Sequence, residues 1–202
     1  MIDFAKPPAI IRPAPKEIIR PGDPRFGAGM VINPYIFGAG SGAWYTVKTI
    51  SLNSDDNASE NYTLRSRFTS LSGTGPFTQI RVTFAASTGE DLGIENAAVG
   101  IYAGSNTNTT ATPTQLFFGG SNTITVTAGT TVTSDAAAFS FTHTDGLVTI
   151  CDVLGTGGGM RWLNSGGQGA YGGSGANSYN SSTGGLTNAS RSYAVSLIEG
   201  FK

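Results

Sequence analysis

At 202 residues and a net charge of −1, the chain has room for one large domain, or for one domain and an appendage. Only 12% of its residues are charged and no Lys/Arg cluster occurs, which excludes the concentrated positive charge that a nucleic-acid backbone requires of its partner. Lys, Glu and Leu are scarce beside Thr, Ser, Asn and 29 glycines, the balance of an all-β protein rich in turns.

Residues 1–42 differ in kind from the rest of the chain. Seven of the nine prolines fall here, among them Pro7, Pro8, Pro13, Pro15 and Pro21. Each removes a backbone donor and biases its predecessor toward extended geometry, so neither a helix nor a central strand is expected. The stretch is nonetheless apolar, and Ile10-Ile11-Arg12-Pro13 recurs eight residues on as Ile18-Ile19-Arg20-Pro21. Exposed isoleucine pairs call for a surface to dock on, through strand addition to this chain's own domain or to a partner, and a partner or neighbouring subunit is the favoured choice. The eight residues of the two repeats are therefore the expected anchor, with Gly38–Ala43 as a flexible joint. Met1-Ile-Asp-Phe4 has neither a basic start nor a long apolar run, so no signal peptide is expected, and no apolar stretch is long enough to insert in a membrane.

From residue 43 the grammar is that of strands. Phe77–Ser87 alternates Ile80, Val82 and Phe84 with Gln79, Arg81 and Thr83, the period of a strand with one buried face. Leu92–Ala103 comes next across a short polar turn, with Ile94, Val99 and Ile101 as its apolar positions, and is expected to pair antiparallel. Strands are read at 44–53, 61–70, 77–87, 92–103, 114–119, 122–128, 137–143, 147–154 and 192–201, separated by Gly-, Asn- and Asp-rich turns. No helical pattern interrupts them. The expected fold is all-β, a jelly-roll-like two-sheet β-sandwich over 43–202 preceded by the extended proline-rich arm. Residues 155–185 hold twelve glycines and are expected to form an exposed irregular loop at one end of the sandwich, with a brief strand at 160–163.

Chemistry-bearing residues are few. His143 is the sole histidine and lies near Asp145, but no nucleophile elbow accompanies them, and a strand-end histidine beside a turn is the expected role. Cys151, the sole cysteine, sits in the apolar run Leu147–Leu154 and reads as a core residue. Asp55, Asp56 and Glu60, and likewise Glu90, Asp91 and Glu95, lack calcium-loop spacing and read as solvated turn charges. No catalytic residue, metal ligand or cofactor is assigned. A ligand surface, if the chain has one, is expected at the aromatics of the glycine-rich stretch: Trp162, Tyr171 and Tyr179, whose rings suit stacking on a glycan.

From Gln79-Ile-Arg-Val-Thr-Phe84 through Asn96-Ala-Ala-Val-Gly-Ile101, Leu116-Phe-Phe-Gly-Gly120, Ala128-Gly-Thr130 and Thr133-Ser-Asp135 to Val195-Ser-Leu-Ile-Glu199, the chain resembles a β-sandwich module of tailed-phage virion appendages. Such modules occur in fibre, spike and decoration proteins, sometimes beside GDSL-type (SGNH) hydrolase domains. The match covers about residues 60–200, and the hydrolase's Gly-Asp-Ser motif is missing, so no catalytic role carries over. The resemblance implies a virion location after synthesis in a host cytoplasm, a capsid, neck or tail protein as partner for the arm, and a homotrimer. It also leaves room for a host-surface glycan. The rival reading is a carbohydrate-binding module using the loop aromatics.

Overall fold

The computed structural model of the protein describes residues 42–56, 61–163, 170–174, 178–185 and 191–202. The expected anchor, with Ile10, Ile11, Arg12, Pro13, Ile18, Ile19, Arg20 and Pro21, lies outside the described residues. What is described belongs to the unit Ser41–Lys202.

That unit is all-β. Its strands are β1 (Trp44–Thr49), β2 (Ser54–Asp56), β3 (Tyr62–Phe68), β4 (Phe77–Ala85), β5 (Leu92–Ile101), β6 (Thr114–Leu116) and β7 (Ile124–Val126). Then come β8 (Thr131–Thr133), β9 (Ala137–Phe141), β10 (Leu147–Gly158), β11 (Met160–Leu163), β12 (Ala170–Ser174), β13 (Ser192–Tyr193) and β14 (Val195–Phe201). The smaller main sheet runs β1-β14-β4, with β8 and β9 both on the far edge of β4. The larger runs β12-β3-β10-β5, with β6 and β7 both on the far edge of β5. The chain crosses from sheet to sheet as it proceeds, and its late strands β14 and β10 insert between early ones. This is the wrapped order of a jelly roll, and every pairing in it is antiparallel.

The period-2 pattern explains which side of each strand is buried. On β4, Ile80, Val82 and Phe84 are wholly buried between the sheets, while Gln79 and Arg81 face out. On β3, Leu64 and Phe68 point in, and Thr63, Arg65 and Arg67 take the opposite face. Leu92, Ile94, Leu147, Cys151 and Ile198 complete one continuous core, where full burial of each large apolar side chain contributes roughly 1.5–3 kcal/mol. Phe77 stacks on Phe141 with ring centroids 4.8 Å apart.

Several turn motifs are structural devices. The Asp135 carboxylate accepts hydrogen bonds from the amides of Gly119 (3.0 Å) and Gly120 (2.7 Å), both at positive φ, and so ties β6 to the start of β9. Ser134 Oγ accepts from Val82 N. A third sheet, β13-β11-β2, joins the expected brief strand at 160–163 and the start of the expected strand at 192–201 to β2, which the sequence pattern leaves unassigned. Its Leu163 and Tyr193 pack against the central core. Among the described residues no helix is long and apolar enough to cross a membrane.

The glycine-rich stretch contains the expected strand at 160–163 and otherwise differs from its expectation. Its first part continues β10 to Gly158, Met160–Leu163 is the strand β11, and Ala170–Ser174 adds β12 to the edge of the larger sheet beside β3. Residues 178–185 are hydrogen-bonded to the larger sheet and to the 107–109 turn instead of standing free at one end. Glycine permits this because a ladder is made by backbone alone and needs no apolar side chain to form.

Candidate functional site

The outer face of the larger sheet carries a row of buried polar side chains. Register places Thr63 of β3, Asp152 of β10 and Asn96 of β5 side by side. All three are buried, Asp152 wholly so. Thr63 Oγ1 donates to Asp152 Oδ1 (2.5 Å) and the backbone N–H of Tyr179 donates to Oδ2 (3.2 Å). A buried carboxylate must be matched by donors in this way or it would cost several kcal/mol. Two residues along β3, Arg65 is 1% exposed and gives both terminal guanidinium nitrogens to Ser181 O at 3.1 Å. Thr107 donates to Gly185 O, Asn108 Oδ1 accepts from Gly184 N, and Thr109 N donates to Ser182 O. Residues 178–185 thus form a strap across this face. Beneath it Tyr179 packs, with Tyr102, on Ala98, Val148 and Ile150.

Beyond the strap the face opens. Asn96 Oδ1 accepts from Gln115 Nε2 (3.2 Å) and Asn122 Nδ2 (3.0 Å). Next to this amide trio lies a shallow cleft of about 480 Å³ lined by Gly93, Ile94, Glu95, Thr123, Ile124 and Thr125. Glu95 owes its position to a β-bulge: Asp152 opposes Asn96 and Val153 opposes Ile94, so Glu95 has no partner on β10. Bulges of this kind re-aim a side chain.

Of the aromatics singled out in the sequence, Trp162 and Tyr179 lie on different sheets. Trp162 belongs to the third sheet, paired with Tyr193 and Ser54, with Arg191 stacked 4.1 Å from its ring and Tyr193 at 6.0 Å. Tyr179 lies beneath the strap against the larger sheet. Tyr171 is opposite Arg65 in the β12–β3 ladder, and its side chain lies outside the described residues. His143 is exposed in a turn, and Asp145 turns to Thr142, accepting from its N–H (2.7 Å) and hydroxyl (2.9 Å). Cys151 is buried in the core, where loss of solvation, together with the Asp152 charge, pushes its thiol far above the ordinary range. Asp55 pairs with Arg161 (3.3 Å) and accepts from Thr88. Among the described residues no three His, Cys, Asp or Glu side chains come together as a metal site.

Fold and face together define a jelly-roll β-sandwich module with a strapped, polar outer sheet. No family model and no curated protein sequence matches the chain. Among solved structures it is similar to the clostridial cysteine protease Cwp84 after propeptide cleavage, with a TM-score of 0.48 and 9% identity over 79% of this chain and 40% of that one. The chain therefore spans less than half the length of that protease, and no residue role is carried over from it.

Proposed function

We propose that the protein is a structural attachment module of a tailed-phage or phage-like virion, non-catalytic, acting as a homotrimer, anchored to a capsid, neck or tail protein through residues 1–42. The observation that carries the reading is the geometry of the domain's entrance. Ala43 N donates to Lys202 O (2.9 Å) and Lys202 N to Ala43 O (3.3 Å), so the junction with the proline-rich stretch is held at the edge of the smaller sheet. The polar cleft belongs to the larger sheet, on the other layer of the sandwich. An anchor that enters at residue 43 leaves the strands lining this cleft unbroken, which supports the reading of an attached module with a free polar sheet. The phage-module resemblance supplies the setting, and the isoleucine pairs supply the anchor: four buried isoleucines contribute several kcal/mol even after ordering entropy.

The test is co-sedimentation with particles that lack this protein. The full chain should bind; a chain without residues 1–42, and one with Ile10, Ile11, Ile18 and Ile19 all changed to Ser, should stay folded and remain in the supernatant. Full occupancy by either variant would show that the sandwich itself docks and that residues 1–42 are not the anchor.

A further inference from the structure

We propose that the bulge cleft on the larger sheet is a saccharide-binding site, with Glu95 as its central hydrogen-bond acceptor and a neutral polyhydroxylated ring as its ligand. The first observation is the carboxylate itself. Glu95 lines the cleft and is part-exposed, and among the described residues none donates a hydrogen bond to its shielded Oε2. The amides that could have served it are engaged elsewhere: Gln115 Nε2 and Asn122 Nδ2 both donate to Asn96 Oδ1, and Asn122 reaches only the backbone carbonyl of Glu95. A shielded carboxylate oxygen without a donor is costly, and the bulge holds the backbone of residue 95 in place, so a donor brought in by a ligand has something to satisfy.

The second observation is the kind of wall that surrounds it. Gly93 and Thr125 oppose each other across the β5–β7 ladder, and Ile94 opposes Ile124. The exposed threonines 123 and 125 stand beside a glycine floor that presents backbone only. Hydroxyls alternating with apolar surface and one strong acceptor match a sugar ring, which offers hydroxyl donors on its rim and C–H faces between them. An anionic ligand would be repelled by Glu95. A divalent cation would want several oxygen ligands, most of them charged, whereas Glu95 is the only acid among the described residues of the lining. A quaternary ammonium would want an aromatic cage, and among the described residues no aromatic lines this cleft.

This inference rests on the attachment reading only for what the ligand is used for, and the two fail in different assays. The purified full chain is titrated, by isothermal calorimetry and by amide chemical shifts, with malto-, cello-, chito- and manno-hexaose, with a sulfated hexasaccharide, and with CaCl2 alone. At least one neutral hexaose should bind and should move the amides of Gly93, Glu95, Thr123 and Thr125 together. Glu95→Gln, which keeps the shape and removes the charge, should weaken that binding about tenfold or more, the effect of losing a hydrogen bond to a charged group. Gly93→Val should abolish it by filling the floor, with no loss of thermal stability. If either variant fails to fold, the pattern of shifted amides in the unaltered protein decides. No binding by any neutral hexaose, shifts clustered away from residues 93–95 and 123–125, equal binding by Glu95→Gln, or a response to CaCl2 or the sulfated probe alone would each overturn the proposal.

Discussion

The seating of the strap on the larger sheet can be tested at Gly184. A Cβ added there would lie 2.5 Å from Thr107 Oγ1, 2.6 Å from Arg65 Nε and 2.8 Å from Arg65 Cδ. An arginine side chain usually yields to such pressure, but Arg65 is 1% exposed and its two terminal nitrogens are both held by Ser181 O. Gly184→Val therefore has two outlets. Local repacking costs about 1–3 kcal/mol, the usual range for overpacking. Lifting the strap loses the charge-assisted bonds to Ser181 O, about 1.5–3 kcal/mol, and roughly 1 kcal/mol for each of the bonds at Thr107, Asn108 and Thr109. The molecule takes the cheaper route, so the expected loss is about 1–3 kcal/mol, or about 2–12 °C in melting temperature for a chain of this size. Urea unfolding followed by tryptophan fluorescence measures it, and hydrogen exchange over 178–185 shows where it acts. Asn180→Ala, at an exposed position of the same strap, is the control and should stay within about 0.5 kcal/mol of the parent. If Gly184→Val matches that control and exchange at 178–185 does not rise, the strap is not seated on Arg65.

Two further outcomes are expected. Trp162→Ala should cost about 2 kcal/mol in urea unfolding, less than the 3–5 kcal/mol of a fully buried tryptophan because the ring is half-exposed, through loss of its contacts with Arg191 and Tyr193; an unchanged midpoint would mean those stacks carry no stability. The Thr88 hydroxyl, with the Arg161 guanidinium, holds the Asp55 carboxyl below its ordinary range against the opposing effect of partial burial. A depressed folded-state pKa gives stability that is present above the unfolded value of about 3.9 and is lost as pH falls through the folded one. The melting-temperature gap between the parent and Asp55→Asn should accordingly be constant above about pH 5 and close below about pH 4; a gap that persists at pH 2 would show that Asp55 is not the titrating group.

The main sandwich was legible because its core strands carry a plain apolar pattern. Ile80, Val82 and Phe84 of β4 alternate with Gln79, Arg81 and Thr83, β10 is an apolar run buried on both faces, and the turns between strands carry Gly, Asn or Asp. What escaped the pattern obeys tertiary causes. β2 is Ser-Asp-Asp, with no strand propensity; it pairs with β11, where Arg161 opposes Asp55 and binds it across the ladder. β8 is three residues long and is held by β4, with Thr83 and Thr133 sharing a hydroxyl hydrogen bond of 2.9 Å. β12 has two adjacent glycines and pairs with β3 through backbone ladders. A reading that seeks apolar alternation assigns such stretches to loops. The buried polar row was hidden for the opposite reason: Thr63, Asp152 and Asn96 look solvent-facing in sequence, and tertiary partners make them interior, among them the strap's Tyr179 at Asp152 and the Gln115 and Asn122 amides at Asn96.

The cleft residue left a trace in the sequence that a single strand template overlooks. Ile94 and Val99 are five positions apart, an odd spacing, so one uninterrupted pleat cannot bury both. Leu92 and Ile94 share one phase and Ala97 and Val99 the other, yet all four lie in the same core. One extra residue between the two pairs resolves the conflict, and Glu95 is that residue, opposed by nothing on β10 while Asp152 and Val153 hold its neighbours. The insertion that lets β5 bury both halves of its apolar set is therefore the same one that sets an acid in the cleft. The two roles separate by atom. The backbone of residue 95 keeps the phase, and deleting it would turn Leu92 and Ile94 toward solvent. The side chain does nothing for the phase, and its shielded oxygen receives no hydrogen bond from the described residues. A carboxylate at that point is consequently a feature that packing does not explain, and its account has to come from what the cleft meets.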